Sequence, residues 1–266
     1  MAEALRERVK RTARKVMNVE KELKKPAMGQ GIKRARFIAI SLIALSFVLL
    51  PCTASFAGEK AGTVTHLSGP LFAKKVDGKT WSLSVHSIVE QGDTLVTGKK
   101  THARIRFLDN AEITLRPNSQ MKISRFYFEQ AAPQKDAAFF DLVKGGARSV
   151  VGLIGRRGSQ NSYRMVTENA TAGVRGTIYD CRVCKGDCGS IPDGTYFFVV
   201  EGTIAVSNEA GSKDVGAGQY AYVRNAETPP VILPENPGLD FSLPSSIGGP
   251  AGSGDPGSVG GGCTVR

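Results

Sequence analysis

Thr167–Asp180, which reads TENATAGVRGTIYD, is the stretch of sequence that decides the fold. A β-like run ends at its first residue, and another begins at Thr177. Between them the sequence predicts a structural turn formed by Gly173, Arg175, Gly176 and Thr177, because glycines at this spacing adopt dihedrals closed to other residues or allow a close approach of strands. The rigid fork of the arginine would suit a carboxylate or phosphate. The segment is therefore either a binding site or a structural corner.

The sequence around this segment has the pattern of an all-β fold. Over 62–223, short apolar or alternating runs are separated by Gly, Asp, Asn and Pro about every eight to twelve residues. HARIRF at 102–107 alternates strictly, and tight turns are predicted at 109–110 and 201–202. We predict a single β-sandwich or short β-solenoid-like domain of about 12–16 short strands over 58–225.

The first 57 residues have the composition of a basic leader and signal peptide. A basic cluster at 33–36 precedes the uncharged run Phe37–Leu50, and small residues follow up to Ala57. This order predicts export with cleavage after Ala57 and a periplasmic location. The alternative is a signal anchor in the inner membrane with the β domain in the periplasm, although 14 apolar residues are short for a span of about 20. The start is either Met1 or Met28.

The net charge of +11 belongs mostly to the leader. Residues 1–36 carry 12 Lys or Arg and 4 Asp or Glu, a balance of +8, so the remainder carries only +3. No basic patch interleaved with aromatic residues remains outside the leader. Nucleic acid is therefore not expected as a partner, and a membrane is expected only through an uncleaved leader.

Three cysteines lie close together at Cys181, Cys184 and Cys188. In an oxidising compartment they are disulfide candidates first. Pairing of Cys184 with Cys188 would close the loop CKGDC, and pairing of Cys181 with Cys188 is the other candidate. The chain-entropy model gives the two pairings nearly the same stabilisation. A zinc site would need a distant fourth ligand, so no metal is predicted.

Enzyme signatures are missing from the sequence. The phosphate-loop-like GDTLVTGKKT at 92–101 has its glycines one residue too far apart. Arg156 and Arg157, between two glycines, form a basic loop that is either a solvated turn or a contact for an anion. Trp81 is interpreted as core packing or a strand-end aromatic. No catalytic residue and no cofactor are predicted.

The C-terminal residues 226–266 are rich in Pro and Gly. Such a segment buries too little apolar surface to offset its ordering entropy, so we predict a disordered, flexible tail. One part of it, residues 231–233, is apolar enough to lie along the β domain.

Several segments together resemble the FecR domain. These are a GD…TG step at 92–98, ARIRFLDNAEITLRPNS, AFFDLVKGGARS, the closing TENATAGVRGTIYD, and a terminal hairpin with its last strand near 218–219. The resemblance covers about 61–223 and implies an all-β extracytoplasmic domain. It also implies that GVRGT is a structural corner, in which Arg175 pairs with a carboxylate or with backbone oxygens inside the fold.

The best-known members of this family regulate iron uptake by relaying a signal from an outer-membrane transporter to a sigma factor. The 36 residues before the apolar run are too few for an anti-sigma domain, so we expect an exported, stand-alone, non-enzymatic module for protein interaction or signalling. Its partner would be another envelope protein, contacted through strand edges or the 145–160 loop. The alternative is a carbohydrate- or peptidoglycan-binding module that uses Arg156, Arg157 and Arg175.

Overall fold

A computed structural model describes residues 58–159, 161–174 and 176–248. The predicted leader, its cleavage site at Ala57 and the last part of the predicted tail, residues 249–266, lie outside this range. The described chain forms 17 strands, a 3-10 turn at Pro133–Lys135 and two short helices, α1 at Leu153–Arg157 and α2 at Ser245–Gly248. None of the helices in the described part of the chain has the length and apolar character of a membrane span.

The strands form one continuous sheet that is folded into two layers. Their bounds are β1 Lys60–Leu67, β2 Leu71–Lys74, β3 Thr80–Leu83, β4 Ile88–Glu90, β5 Thr94–Thr97, β6 Ala103–Phe107, β7 Glu112–Leu115, β8 Gln120–Tyr127, β9 Ala137–Val150, β10 Tyr163–Val166, β11 Thr171–Val174, β12 Ile178–Cys184, β13 Gly194–Glu201, β14 Thr203–Asn208, β15 Gly211–Gly216, β16 Tyr220–Val223 and β17 Val231–Leu233.

The first layer has the order β4-β1-β6-β7-β9-β12-β13-β16-β17, and all its pairings are antiparallel. The second layer has the order β3-β2-β5-β8-β9-β10-β11-β14-β15. Only the β9–β10 pair is parallel among the described strands. Each layer ends in two edge strands, so the sheet is not closed into a barrel.

Strand β9 belongs to both layers and changes layer at Gly145. Its first half pairs with β8 and β10, and its second half with β7 and β12. Gly145 has φ +81, and a Cβ there would lie 2.6 Å from the Cα of Ser119. The Ser119 hydroxyl accepts the Gly146 N–H at 2.8 Å and donates to the Gly146 carbonyl at 2.9 Å. A glycine is therefore required where the strand bends past Ser119.

The two layers face one apolar core. Phe107, at the end of β6 in the first layer, packs against two rings of the second layer, with centroid separations of 5.4 Å to Phe126 and 4.8 Å to Phe140. The strands supply this core through simple alternation, as in β6, whose alternate residues Ala103, Ile105 and Phe107 are buried. The all-β fold class is confirmed, as two layers rather than a regular solenoid.

The structure corrects several details of the sequence prediction. The described residues contain 17 strands rather than 12–16, because very short strands such as β4 and β17 are included in the count. The 145–160 region is not simply a loop, since β9 continues to Val150 and α1 follows it. Trp81 is not core packing, because 58% of it is exposed at the end of a sheet.

The first part of the predicted flexible tail belongs to the fold. Within residues 226–248, here called the C-terminal segment, β17 pairs with β16 as the apolar 231–233 stretch suggested. Leu239 and Phe241 are buried in a satellite core with Cys184 and Tyr196. Composition alone missed this docking, because only a few apolar side chains are involved and they stand among proline, glycine and polar residues.

Candidate functional site

The TENATAGVRGTIYD segment is not one compact turn. The Thr167 hydroxyl accepts the Ala170 N–H at 3.1 Å, and this tight turn lets the chain enter β11 immediately. Gly173 lies inside β11, paired with Arg164 and Ala205. It is therefore part of a strand, and the turn contains fewer residues than predicted.

The narrower turn lies around Gly176, whose φ is +65. Arg175 lies outside the described residues. The buried Thr177 hydroxyl donates to the Thr203 carbonyl at 2.9 Å, and the Thr177 carbonyl accepts the Val151 N–H at 3.1 Å. Since β11 belongs to the second layer and β12 to the first, the chain changes layer here. The described residues around Gly176 therefore form a connection between the two layers.

Helix α1 is held by an aspartate that the sequence indicated only as a turn residue. One carboxylate oxygen of Asp109 accepts the Ile154 N–H at 3.1 Å, and the other accepts the Ala111 N–H at 3.1 Å. Its carbonyl accepts the Leu153 N–H at 2.9 Å. Burial raises the pKa of the Asp109 carboxyl, and the backbone hydrogen bonds oppose this effect. Asp109 therefore supplies the cap that Gly152, which precedes α1, has no side chain to provide.

The two arginines of α1 have different surroundings. The Arg157 guanidinium donates to both carboxylate oxygens of buried Asp136, at 2.9 and 3.2 Å, and it lies 4.7 Å from the Phe128 ring centroid. It is thus engaged inside the fold by a carboxylate of the chain itself. Arg156 is exposed and passes beside Gly176, with 3.6 Å between its Cγ and the position a Cβ would take there.

A disulfide joins Cys184 and Cys188, the first of the two predicted pairings. It closes the loop between β12 and β13, with 5.6 Å between the Cα atoms. Cys181 is a buried free thiol whose pKa is raised by burial. Within the described ranges, no group of three His, Cys, Asp or Glu side chains is placed to hold a metal ion.

Asp180 is the centre of a buried ion cluster that the sequence did not reveal. Its fully buried carboxylate accepts from Arg116 at 2.8 Å and from Arg148 at 2.7 and 3.0 Å. Arg148 lies opposite Asp180 in the β9–β12 register, and Arg116 follows β7. No local motif links three residues so far apart in sequence.

The same two arginines fasten the C-terminal segment. Arg116 donates to the carbonyl oxygens of Asp240, Phe241 and Ser242 at 3.3, 2.5 and 2.7 Å. Arg148 donates to the Phe241 carbonyl at 2.8 Å. Two guanidinium groups share one carboxylate, so the cluster has an excess of positive charge. These backbone oxygens help to compensate it by accepting hydrogen bonds from the guanidinium groups.

The end of the sandwich formed by β3 and β4 exposes large apolar side chains. Trp81 in β3 is 58% exposed and Ile88 in β4 is 50% exposed, with Val85 in the short loop between them and Phe72 on the adjacent β2. Strand β3 has no charged residue. By contrast β15, the opposite edge of the same layer, carries exposed Lys213 and Asp214.

Comparison with known proteins identifies a family for part of the chain. Residues 93–205 match the family model described as FecR protein. The chain contains a FecR domain. The match runs from the start of β5 into β14, so it includes the layer switch at Gly145, the GVRGT corner and the Asp180 cluster.

Two crystal structures of a "putative anti-sigma factor" from Parabacteroides distasonis ATCC 8503 resemble this FecR-domain chain, with 15% identity and TM-scores of 0.42 and 0.41. Each comparison covers 54% of this chain and 60% of the other. The chain thus spans about 60% of that protein's length. A structure named "Cell surface anchoring domain" matches 24% of this chain and 83% of its own, with 24% identity and a TM-score of 0.23. No curated protein sequence matches the chain significantly.

Two features described above lie outside the matched FecR domain. The strands β1–β4, with the exposed Trp81 edge, precede it, and β15–β17 with the C-terminal segment follow it. The matched region also ends before the Gly218-Gln219 step, although the resemblance was expected to continue to about residue 223.

Proposed function

We propose that this chain is a non-enzymatic, periplasmic FecR-type module that binds another protein of the cell envelope and acts in signalling. The FecR domain supports the regulatory class. The Cys184–Cys188 disulfide supports an oxidising compartment, because cytosolic thiols are normally kept reduced. The basic, apolar and small-residue order of the leader supports export.

The β3 edge, Thr80–Leu83, is the contact surface that we propose. Edge strands present unpaired backbone groups, and proteins usually protect such edges with charged residues. β15 has this protection in Lys213 and Asp214, whereas β3 has no charge and exposes Trp81. This contrast is the observation that carries the proposal, since a partner strand can add to an uncharged edge and bury the indole.

Site-specific crosslinking in cells tests this contact. A photo-crosslinking amino acid replaces Ser82 on the β3 edge, or Asp214 on the β15 edge as the matched control. We expect a discrete protein adduct at Ser82 that is absent at Asp214. Trp81→Ala should reduce the adduct about tenfold or more, as for an aromatic anchor of an interface. Equal adducts at both edges, or none at either, would contradict the proposal.

The second candidate function is a carbohydrate- or peptidoglycan-binding module. The exposed side chain of Arg156, which passes beside Gly176 of the matched GVRGT corner, is the observation in its favour. Sedimentation of the chain with purified cell wall, repeated with Arg156→Ala and Arg175→Ala, tests it. Co-sedimentation that these changes abolish would favour this candidate over protein binding.

A further inference from the structure

A basic cleft crosses the outer face of the second layer, remote in sequence from the β3 edge. It has a volume of about 560 Å³ and is formed by β8, β9, β10, the 3-10 turn and the residues that precede β10. Its charged and aromatic lining residues are Arg125, Tyr127, Lys135, Asp136, Phe139 and Arg164.

Two arginines of this cleft form cation–π contacts with the same phenylalanine ring. Arg125, Phe139 and Arg164 are direct cross-strand neighbours in the β8–β9–β10 register. The guanidinium carbons lie 5.9 Å and 5.2 Å from the centroid of the Phe139 ring. Their backbone positions are two strand spacings apart, about 10 Å. The ring therefore orients both guanidinium groups before any ligand arrives, which lowers the entropic cost of binding.

The two arginines of the cleft, Arg125 and Arg164, have no direct acidic partner among the described residues. The nearby acidic side chains are engaged elsewhere: Asp136 with Arg157, Glu129 with the Tyr127 hydroxyl, and Asp141 with the Ser124 hydroxyl. Like charges that share one cleft repel each other, so an anion bound between the two arginines relieves this repulsion.

We propose that this cleft binds a phosphate group. Guanidinium groups match the oxygens of phosphate in bidentate geometry, and Lys135 adds a third positive charge suited to a dianion. The half-buried Ser162, which lines the same cleft, can donate its hydroxyl to a remaining oxygen. The phosphate group could belong to a small soluble molecule or to a phospholipid headgroup, because both present the same oxygens to the cleft.

Calorimetric titration of the purified chain with inorganic phosphate at low ionic strength tests this site. We expect saturable binding that Arg125→Gln and Arg164→Gln each weaken at least tenfold. Arg156→Gln is the matched control, because it removes an exposed arginine outside the cleft, and it should leave the affinity unchanged. Sodium chloride at equal ionic strength should give no saturable heat.

Amide shifts in nuclear magnetic resonance spectra locate the ligand independently. Addition of phosphate should shift the amides of β8, β9 and β10 around the Arg125–Phe139–Arg164 row and leave those of β3 unchanged. Flotation with phosphatidylglycerol vesicles, compared with phosphatidylcholine vesicles, identifies the source. If the chain floats with the phosphatidylglycerol vesicles, the phosphate group belongs to a headgroup. If it binds phosphate but does not float with these vesicles, the phosphate group belongs to a soluble molecule. Both outcomes support the proposal. No saturable phosphate binding, or binding that Arg125→Gln and Arg164→Gln leave intact, would overturn it without affecting the β3-edge proposal.

Discussion

The Arg116 guanidinium donates a hydrogen bond of 2.5 Å to the carbonyl oxygen of Phe241, although 125 positions separate the two residues in sequence. The contact joins the loop after β7 to the C-terminal segment. Arg116 is held in turn by buried Asp180. The segment is therefore anchored at both ends, by this ion cluster and by the β16–β17 pairing.

Phe241→Ala should lower the free energy of unfolding by about 3 kcal/mol, the usual cost of truncating a buried phenylalanine. The ring is only 7% exposed and packs against Phe198 and Tyr220, with centroid separations of 5.7 and 6.0 Å. Val231→Ala, at an exposed position of the same segment, should cost less than about 0.5 kcal/mol. Urea unfolding measures both. Equal small effects would mean that the segment does not contribute to stability.

Asp180→Ala should destabilise the fold by about 3–5 kcal/mol, because removing the carboxylate leaves two cations without their partner in a buried place. Asp187→Ala is the control: its ion pair with Arg182 at 3.2 Å involves a carboxylate that is 43% exposed, so the loss should be below about 1 kcal/mol. Denaturant midpoints of the two variants give the comparison. A loss at Asp180 as small as that at Asp187 would be inconsistent with a buried cluster.

The sequence carried enough information for the fold class and for local turns. Alternation in HARIRF, positive φ at Asn110 and Gly202, and the loop-closing Cys184–Cys188 pair all depend on residues close together in the chain. Such local signals can be read directly from spacing.

The sites depend on pairings that are far apart in sequence. The Arg125–Phe139–Arg164 row requires the β8–β9–β10 register, and the Asp180 cluster requires the β9–β12 register. Neither register can be read from a single strand, because each strand shows only which side chains share a face. Docking of residues 239–242 was missed for a related reason, since the arginines that fasten them lie in and near β7 and β9.

Gly145→Ala should cost more than about 2 kcal/mol, because a Cβ there would meet the backbone of Asn118 at 2.8 Å in addition to the strain of a φ of +81. Gly186→Ala is a matched control: its φ is +70, but nothing lies within 4 Å of the added Cβ, so only the conformational cost of about 1 kcal/mol applies. Thermal and urea unfolding of both variants separate the two contributions. Equal losses would argue against a close approach at the layer switch.

Cys181→Ala should change how stability depends on alkaline pH. Burial raises the pKa of the Cys181 thiol above its ordinary value of 9.0, so the folded protein keeps a proton that the unfolded chain releases. The stability from this difference is complete below that value and is lost as the pH rises through it, with a slope of up to about 1.4 kcal/mol per pH unit. Burial also raises the pKa values of Tyr163, Tyr179 and Tyr196, and the stability that this gives is lost around the higher ordinary tyrosine value of 10.0.

Between pH 9 and 10 the Cys181 thiol is therefore the largest single contributor to the slope, and the alanine variant should show a shallower dependence there. Urea unfolding at about pH 8, 9 and 10 measures the slope for both proteins. The variant retains the Cys184–Cys188 disulfide, so the same crosslink constrains both unfolded chains. An unchanged slope in the variant would mean that the Cys181 thiol reaches solvent in the folded protein, because an exposed thiol releases its proton at the same pH in both states.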